Sequence, residues 1–555
     1  PGLSDEEKEA LFAEIWDALS LEQQQALDAQ RMRPISDRTE FEALTYAERL
    51  VHCERPENIE GPSATAWADI NAHLGTTATS LSDLIEQLGQ RTFGHSPRVG
   101  DSFCGGGSIP FEAARIGCQA FGSDLNPVAG LLTWASLNLL GGGAAVQGEV
   151  RRVQEQVFAA TDKQITDWGI EHNDRGERAE AFLYCVEVKP EGCDYYIPLA
   201  PSWVITEKYR IVVIWNRVPG SDRLNAEVQE VSVDELKKYK EKKGATVVDG
   251  RVVDPFDHTR SWSMEALRGA QGLRRWTNDD VVPRMGDVIQ ERLYCIRWAK
   301  TVIRDGRPKL VRRYAAPRAA DLAREALVLK LLRERFSDWQ RDGFIPSKAI
   351  PESGAETDRL FRERGWTYWH HLFTPRQLLM LGQVWAEVER RGSDSVTIAT
   401  GCLSIGATIN RLSKLCGVDP HFSKGPGSTN QVFTNQALNT LYSFGSRSLF
   451  FVKEFLITEL PSNNVVSSSS KVESEDARSI VEYCDLWITD PPYADAVNYH
   501  ELGDFFLAWY DKQLAKAFPE WTPDARAELA VRGDGGDFRR SMVEIYKNLA
   551  HHMPD

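Results

Sequence analysis

Two stretches of this chain combine residue types that can do chemistry with breakers that would hold them in place. The first is DSFCGGGSIPFEAARIGCQAFGSDLNPVA, residues 101–129, and the second is DLWITDPPYADAVNY, residues 485–499. In the second, Leu486, Trp487 and Ile488 run into Asp490, Pro491 and Pro492. Proline lacks the N–H that a strand ladder needs, so an apolar strand must stop and turn at Asp490. The turn leaves a carboxylate, free carbonyls and the Tyr493 ring at the carboxyl edge of the strand. In open α/β sheets that edge is where ligands bind.

In the first stretch, Gly105, Gly106 and Gly107 separate a strand from a helix that starts near Ser108, tolerates Pro110 in its first turn and stops at Gly117. Glycine lets the backbone approach a ligand closely, and the helix start offers unpaired N–H groups. A second strand ends at Asp124, where a carboxylate can accept hydrogen bonds from a ribose hydroxyl pair, and Asn126-Pro127 breaks the chain after it. Such a turn serves NAD and S-adenosylmethionine alike, and it also occurs as a tight β–α turn with no ligand. Pro110 stands where G-x-G-x-x-G has its third glycine, which weakens the NAD reading. A cationic sulfonium needs no pyrophosphate cradle and favours carboxylates, which Asp101 and Asp124 supply. Cys104 lies inside the turn and reads as a small residue that fits rather than as a nucleophile.

An acid followed by two prolines and a tyrosine suits methyl transfer to the exocyclic amine of a base. That nitrogen is a poor nucleophile because its lone pair is delocalised into the ring. A catalyst must accept hydrogen bonds from it, for which the Asp490 carboxylate and the Pro491 carbonyl are suited. Tyr493 can hold the base out of its stack. Displacement at the sulfonium methyl is direct, so orientation supplies most of the acceleration, with no metal and no covalent cysteine. Standing alone, Asp-Pro-Pro-Tyr could be a surface turn. An apolar strand feeding into it, and the glycine turn upstream, favour the catalytic reading.

The elements that must position these motifs follow from texture. The chain has 555 residues, 42% hydrophobic and 10% aromatic, enough for two to four domains with large cores. Residues 1–90 read as a helical segment, from DEEKEALFAEIWDAL to TSLSDLIEQLG. Residues 91–150 are expected to form the first part of an α/β core, 151–300 a β-rich insert and 301–440 a helical insert. Residues 441–555 return to the core with the second motif. No run of 18 or more apolar residues suggests a membrane span. The nine cysteines are scattered singly, a reduced, cytoplasmic pattern. The opening PGLSDEEKEALF lacks an initiator Met and the close NLAHHMPD lacks a natural stop, so both ends are expected to be cut from a longer protein.

Together these motifs resemble the amino-group (adenine-N6 or cytosine-N4) DNA methyltransferases. More narrowly, the chain resembles the large prokaryotic adenine-specific DNA methylases of anti-phage gene clusters, which carry an N-terminal domain of unknown function. RRWTNDDVVPRMGDVIQERLYCIRW, GWTYWHHLFTPRQLLML and VFTNQALNTLYSFG support the narrower resemblance, which covers nearly the whole chain. It implies a Rossmann-like core split by a mixed α and β insertion whose helical part, 301–440, would serve target recognition, with S-adenosylmethionine as cofactor. Asp101, Phe103, Cys104, Gly105 and Gly107 would line the methionine side, Asp124 would hold the ribose, and Asn126 and Pro127 would shape the adenine side. Asp490, Pro491, Pro492 and Tyr493 would form the target-amine site. An acid before the prolines favours adenine over cytosine. Double-stranded DNA is the implied substrate, other defence-system subunits are possible partners, and restriction-modification or phage defence is the implied role. An RNA amino-methyltransferase and a catalytically silent DNA-binding subunit are the alternatives. Ser102 departs from the usual proline. Of the cysteine-rich zinc ribbon that relatives carry, only Cys185 and Cys193 recur, so no structural zinc is expected. Relatives also begin with a basic, Trp-Arg-rich segment and continue past the catalytic strand with further strands.

The net charge of −15 argues against a surface that is basic all over. Local basic stretches remain: RDGRPKLVRRY (304–314) holds Arg304, Arg307, Lys309, Arg312 and Arg313, and LRRW (273–276) holds Arg274 and Arg275 beside Trp276. A basic stripe with aromatics suits a nucleic-acid backbone, while a merely solvated face is the plainer reading. His370 and His371 lack cysteines or acids at ligand spacing, and WTYWHH reads as packing.

Overall fold

A computed structural model describes residues 38–45, 49, 61–304, 306–417, 429–433, 436–460, 470–492, 499–521, 529, 531 and 535–554. The helical pattern at 5–19, Asp305 and Tyr493 lie outside these described residues. The chain divides into two units, Pro1–Leu81 and Ser82–Asp555. In the first, α1 (Ala64–Leu74) is capped by the Ser63 hydroxyl, which accepts from the Ala66 N–H at 3.2 Å, and ends at Gly75 with φ 65°. Both are ordinary helix-terminus signals.

The second unit starts with α2 (Leu81–Phe93), whose first residue is the last of the first unit. The order continues as β1 (Arg98–Asp101), α3 (Ser108–Arg115), β2 (Gln119–Ser123), α4 (Pro127–Ala135) and α5 (Gly143–Trp168). Next come β3 (Arg178–Val188), β4 (Ile211–Asn216), β5 (Asn225–Glu230), β6 (Ile289–Arg304) and β7 (Arg307–Ala315). Helices α6 (Ala319–Arg333), α7 (Thr357–Arg364), α8 (Pro375–Glu389) and α9 (Ser395–Ile409) follow. The last elements are β8 (Ser443–Arg447), β9 (Lys471–Glu473), β10 (Leu486–Trp487), α10 (Tyr499–Ala517) and α11 (Gly536–His551).

The protein is mixed α/β, and its motif-bearing sheet is four-stranded and parallel, in the order β9-β2-β1-β10. Side chains alternate across this sheet. Val99 and Ala120 pack with Ala113 and Ala114 of α3, while Phe121 packs with Met542, Ile545 and Leu549 of α11. Helices therefore cover both faces, the usual requirement of parallel strands. Gly100 is demanded by this packing: a Cβ there would meet the Trp487 ring at 2.5 Å. With that space open, Trp487 stands edge-on to Phe121 at 5.8 Å and donates its indole N–H to the His552 carbonyl.

A second sheet is antiparallel, in the order β7-β6-β3-β8. β8 lies in the stretch that the sequence assigns to the second part of the core, yet it pairs with β3, so the chain leaves the insert's sheet only after residue 447. The β6–β7 hairpin likewise runs past residue 301 into the stretch expected to be helical. The expected small β-rich segment is present, with β4 and β5 in a three-stranded antiparallel sheet. Helices α5, α8, α9 and α10 share the largest apolar core, to which α5 contributes Val150, Val153, Val157, Phe158 and Ile165 at helical spacing.

Candidate functional site

β1 and β2 lead successively toward the β9 edge, and β10 then returns to the other side of β1. The strand order therefore reverses between β1 and β10, and in open α/β sheets such a switch point opens a crevice at the carboxyl ends of the strands. Both chemistry-bearing turns leave their strands there. Val99 faces Leu486, Gly100 faces Trp487, and the Ile488 N–H donates to the Gly100 carbonyl at 2.9 Å. The pairing is anchored at its other end by the Arg98 N–H, which donates to the buried Asp485 carboxylate at 2.7 Å.

Asp101 ends β1 and is only 2% exposed. Its Oδ1 accepts from the Phe103 N–H at 3.0 Å and from the Thr489 hydroxyl at 2.8 Å, so one carboxylate joins the two motifs. Burial pushes its carboxyl up to about 6; the two donors oppose the shift, and the charges of Asp124 and Asp490 add to it.

The glycine turn is held by Asp124, whose Oδ2 accepts from the Gly105 N–H at 3.0 Å and Oδ1 from the Asn126 N–H at 2.9 Å. Burial raises its carboxyl too, against the pull of those two donors. Each oxygen keeps a lone pair for a further donor. Gly105 and Gly107 adopt φ of 50° and 85°, the left-handed region that glycine enters without strain. At Gly107 a Cβ would meet Thr133 Cα at 2.8 Å, so this glycine also serves close helix packing. At Gly105 and Gly106, by contrast, a Cβ would meet nothing nearer than 3.9 Å, which leaves the outer rim of the turn open. Asn126 caps α4 by accepting from the Val128 N–H at 3.0 Å, with Pro127 in the first helical position.

Cys104 turns inward. Its thiol is buried and accepts from the Thr133 hydroxyl at 3.2 Å, and burial, aided by the negative Asp124, pushes it well above the ordinary thiol range. Only the backbone of Cys104 is placed to serve a ligand, through the shape of the turn. Asp490 is exposed beyond β10, and Pro491 and Pro492 are half-buried. Asp101, Phe103, Gly105, Gly107, Asp124, Asn126 and Asp490 thus come to one edge of one sheet.

Three contributors escaped the sequence reading. Thr489 bonds Asp101 across the strand boundary, and Thr133 braces the turn through Cys104 and the Gly105 carbonyl at 3.3 Å. Gly503 of α10 approaches so closely that a Cβ would meet Asn126 Nδ2 at 2.9 Å. Only Thr489 had a signal, as the polar residue directly before Asp490.

The basic residues singled out from sequence do not form one patch. Arg274 donates to Asp287 at 2.7 Å and to Asp280 at 2.8 Å, and Arg275 lies 4.5 Å over the Phe361 ring. Arg312 binds the buried Glu180 at 2.7 Å and Arg313 binds Glu177 at 2.5 Å. Arg304, Arg307 and Lys309 are exposed at the end of the β6–β7 hairpin. His370 and His371 are fully buried, and burial drives the His370 ring down to about 3. Cys185 and Cys193 are buried free thiols. Among the described residues no group of three or more His, Cys, Asp or Glu side chains is arranged to hold a metal ion, and no single helix is long and apolar enough to cross a membrane. Comparison with protein-family models, curated proteins and solved structures finds no match.

Proposed function

We propose that this chain is an S-adenosylmethionine-dependent methyltransferase of the amino-group class, with a Rossmann-like core split by the long insertion. Its proposed substrate is adenine N6 in double-stranded DNA, flipped out for reaction, and its proposed role is marking host DNA in restriction-modification or phage defence. One observation carries the reading: the glycine turn and the Asp490-Pro-Pro turn leave adjacent parallel strands at the point where strand order reverses.

The residues present fit the cofactor. The rim at Gly105 and Gly106 is open to a ligand's approach, two carboxylates suit a cationic ligand, and both Asp124 oxygens retain accepting capacity. When bound, the cofactor supplies an electrophilic methyl group on a sulfonium. Asp101, Phe103, Gly105 and Gly107 would hold its methionine side, Asp124 would accept from the ribose hydroxyls, and Asn126 and Pro127 would border its adenine.

Asp490 and the Pro491 carbonyl accept hydrogen bonds from the target amine. Those bonds favour a tetrahedral nitrogen with its lone pair free to attack, a geometry stronger in the transition state than in the ground state. The proline pair fixes φ at two successive positions, which keeps the acceptors from drifting. Tyr493 is assigned the face of the flipped base.

Transfer of labelled methyl groups to plasmid DNA and to total RNA tests the substrate. Labelling of the plasmid alone is expected, and labelling of RNA alone would reject DNA as the substrate. Asp490→Ala is expected to lower transfer by about a thousandfold while cofactor affinity stays within about twofold. Unchanged transfer would remove Asp490 from the mechanism.

A further inference from the structure

The outer end of the β6–β7 hairpin sorts the basic residues of 304–314 by face. Pairing of β6 with β3 ends at Ala299, whereas Lys300–Arg304 pair only with Arg307–Val311 of β7. At about 3.4 Å per residue, this two-stranded ribbon extends the hairpin by roughly 17 Å. Directly opposed residues share a face. The register Lys300↔Val311, Val302↔Lys309 and Arg304↔Arg307 therefore puts four cations on one side. The other side holds Thr301, Ile303, Pro308 and Leu310, with Ile303 70% exposed.

Toward the base of the hairpin the cations have internal uses. Arg313 is paired with Glu177 at 2.5 Å, and the Lys300 ammonium donates to the Arg175 carbonyl at 3.0 Å. Farther out, Arg304, Arg307 and Lys309 are exposed, and among the described residues none has an acidic partner. Arg304 and Arg307 stand opposite each other, a like-charge pair that costs strand stability. A polyanion laid on this face would turn that cost into attraction.

We propose that this ribbon is a nucleic-acid arm: Arg304, Arg307 and Lys309 bind the phosphates of duplex DNA while the site at the β1–β10 edge acts on a base. The choice of DNA rests on the proposed methyltransferase reading; the cationic face does not. A two-stranded ribbon is narrow enough for the major groove. The chain's net charge of −15 repels a polyanion, so a local array of cations with no acidic partner among the described residues is the kind of feature that lets such a protein engage one.

The test uses the full chain, a labelled duplex several helical turns long, and the triple variant Arg304→Gln, Arg307→Gln, Lys309→Gln. Each phosphate contact contributes about 0.9 to the slope of log affinity against log salt. The variant is therefore expected to bind about tenfold or more weakly near physiological salt, with a slope shallower by about 2 to 3. Ile303→Ser, on the opposite face, should leave that slope unchanged. An unchanged slope in the triple variant, or no duplex binding by the wild-type chain, would overturn the proposal. So would binding of anionic phosphatidylserine vesicles, but not of duplex, that the triple variant abolishes. Cofactor binding by calorimetry separates the two readings. Arm-dependent duplex binding without cofactor binding would sink the methyltransferase and keep the arm; methyl transfer with arm-independent binding would do the reverse.

Discussion

Asp101 accepts two hydrogen bonds at one oxygen in a site almost closed to water. Its carboxyl is raised from an ordinary 3.8 to about 6, so the folded state holds a proton over a range where the unfolded chain has lost it. The stability this group contributes is full below about pH 4, falls as pH rises toward 6, and stays lost above. Asp101→Asn keeps an amide oxygen for both donors and removes the buried charge. Its unfolding midpoint is expected to exceed that of the wild type at pH 8, and the gap should close at pH 4. Cofactor binding should show the opposite cost. Wild-type affinity for the cationic ligand should weaken as pH drops through about 6 and Asp101 becomes neutral, whereas Asp101→Asn should be weak throughout and flat with pH. A wild-type binding curve that is level from pH 5 to 8 would dissociate Asp101 from the ligand.

Among the elements, the contact of β1 with β10 is the one on which the site depends, and Gly100 controls it. A methyl group at Gly100 would overlap the Trp487 ring and approach Cys484 Sγ at 2.8 Å. Overpacking of this kind typically costs about 1–3 kcal/mol, and neither neighbour can move far: Trp487 is tied to His552, and the Cys484 N–H bonds the same carbonyl at 3.0 Å. Gly100→Ala should lower the unfolding free energy by that amount, read as a lower denaturant midpoint at unchanged m, and it should weaken cofactor binding by displacing Thr489 from Asp101. A variant as stable as the wild type would mean that β10 adjusts freely. Much of this local structure was readable in the chain. The strand–turn–helix over 98–115 follows from the glycine turn, Pro110 and Gly117, and Asn126-Pro127 was legible as a break after β2, which the structure makes the cap of α4. The route of β8 was not readable, because a five-residue strand carries no label for the sheet it will join.

Across the whole molecule, α10 couples the helical insert to the motif-bearing sheet. Near the start of α10, Glu501 accepts from the N–H groups of Ala355, Glu356 and Thr357 at 2.9–3.0 Å, at the start of α7. Three residues on, Asp504 pairs with Lys348 at 2.9 Å. A negative carboxylate at a helix N-terminus satisfies orphan donors and meets the positive end of the dipole. Glu501→Ala would leave those donors bare and should cost on the order of 3 kcal/mol. It is expected to speed proteolysis between 343 and 357 and to lower methyl transfer more than cofactor affinity. Equal proteolysis rates in the two proteins would show that the insert is held by other contacts.

The chain's linear order settled what depends on a few neighbouring residues: where helices start and stop, which strand must end in an acid and two prolines, and where a glycine turn can form. Folding settled what depends on partners far away. Thr489 reaches Asp101 across 388 residues of chain, and seven basic residues that look alike in sequence part into four tied to acidic or aromatic partners and three on one face of a ribbon that, among the described residues, have no acidic partner. The reason is physical. Breakers and caps act through a residue's own backbone and its nearest turn, whereas strand adjacency and charge pairing depend on register between segments whose separation no local pattern encodes.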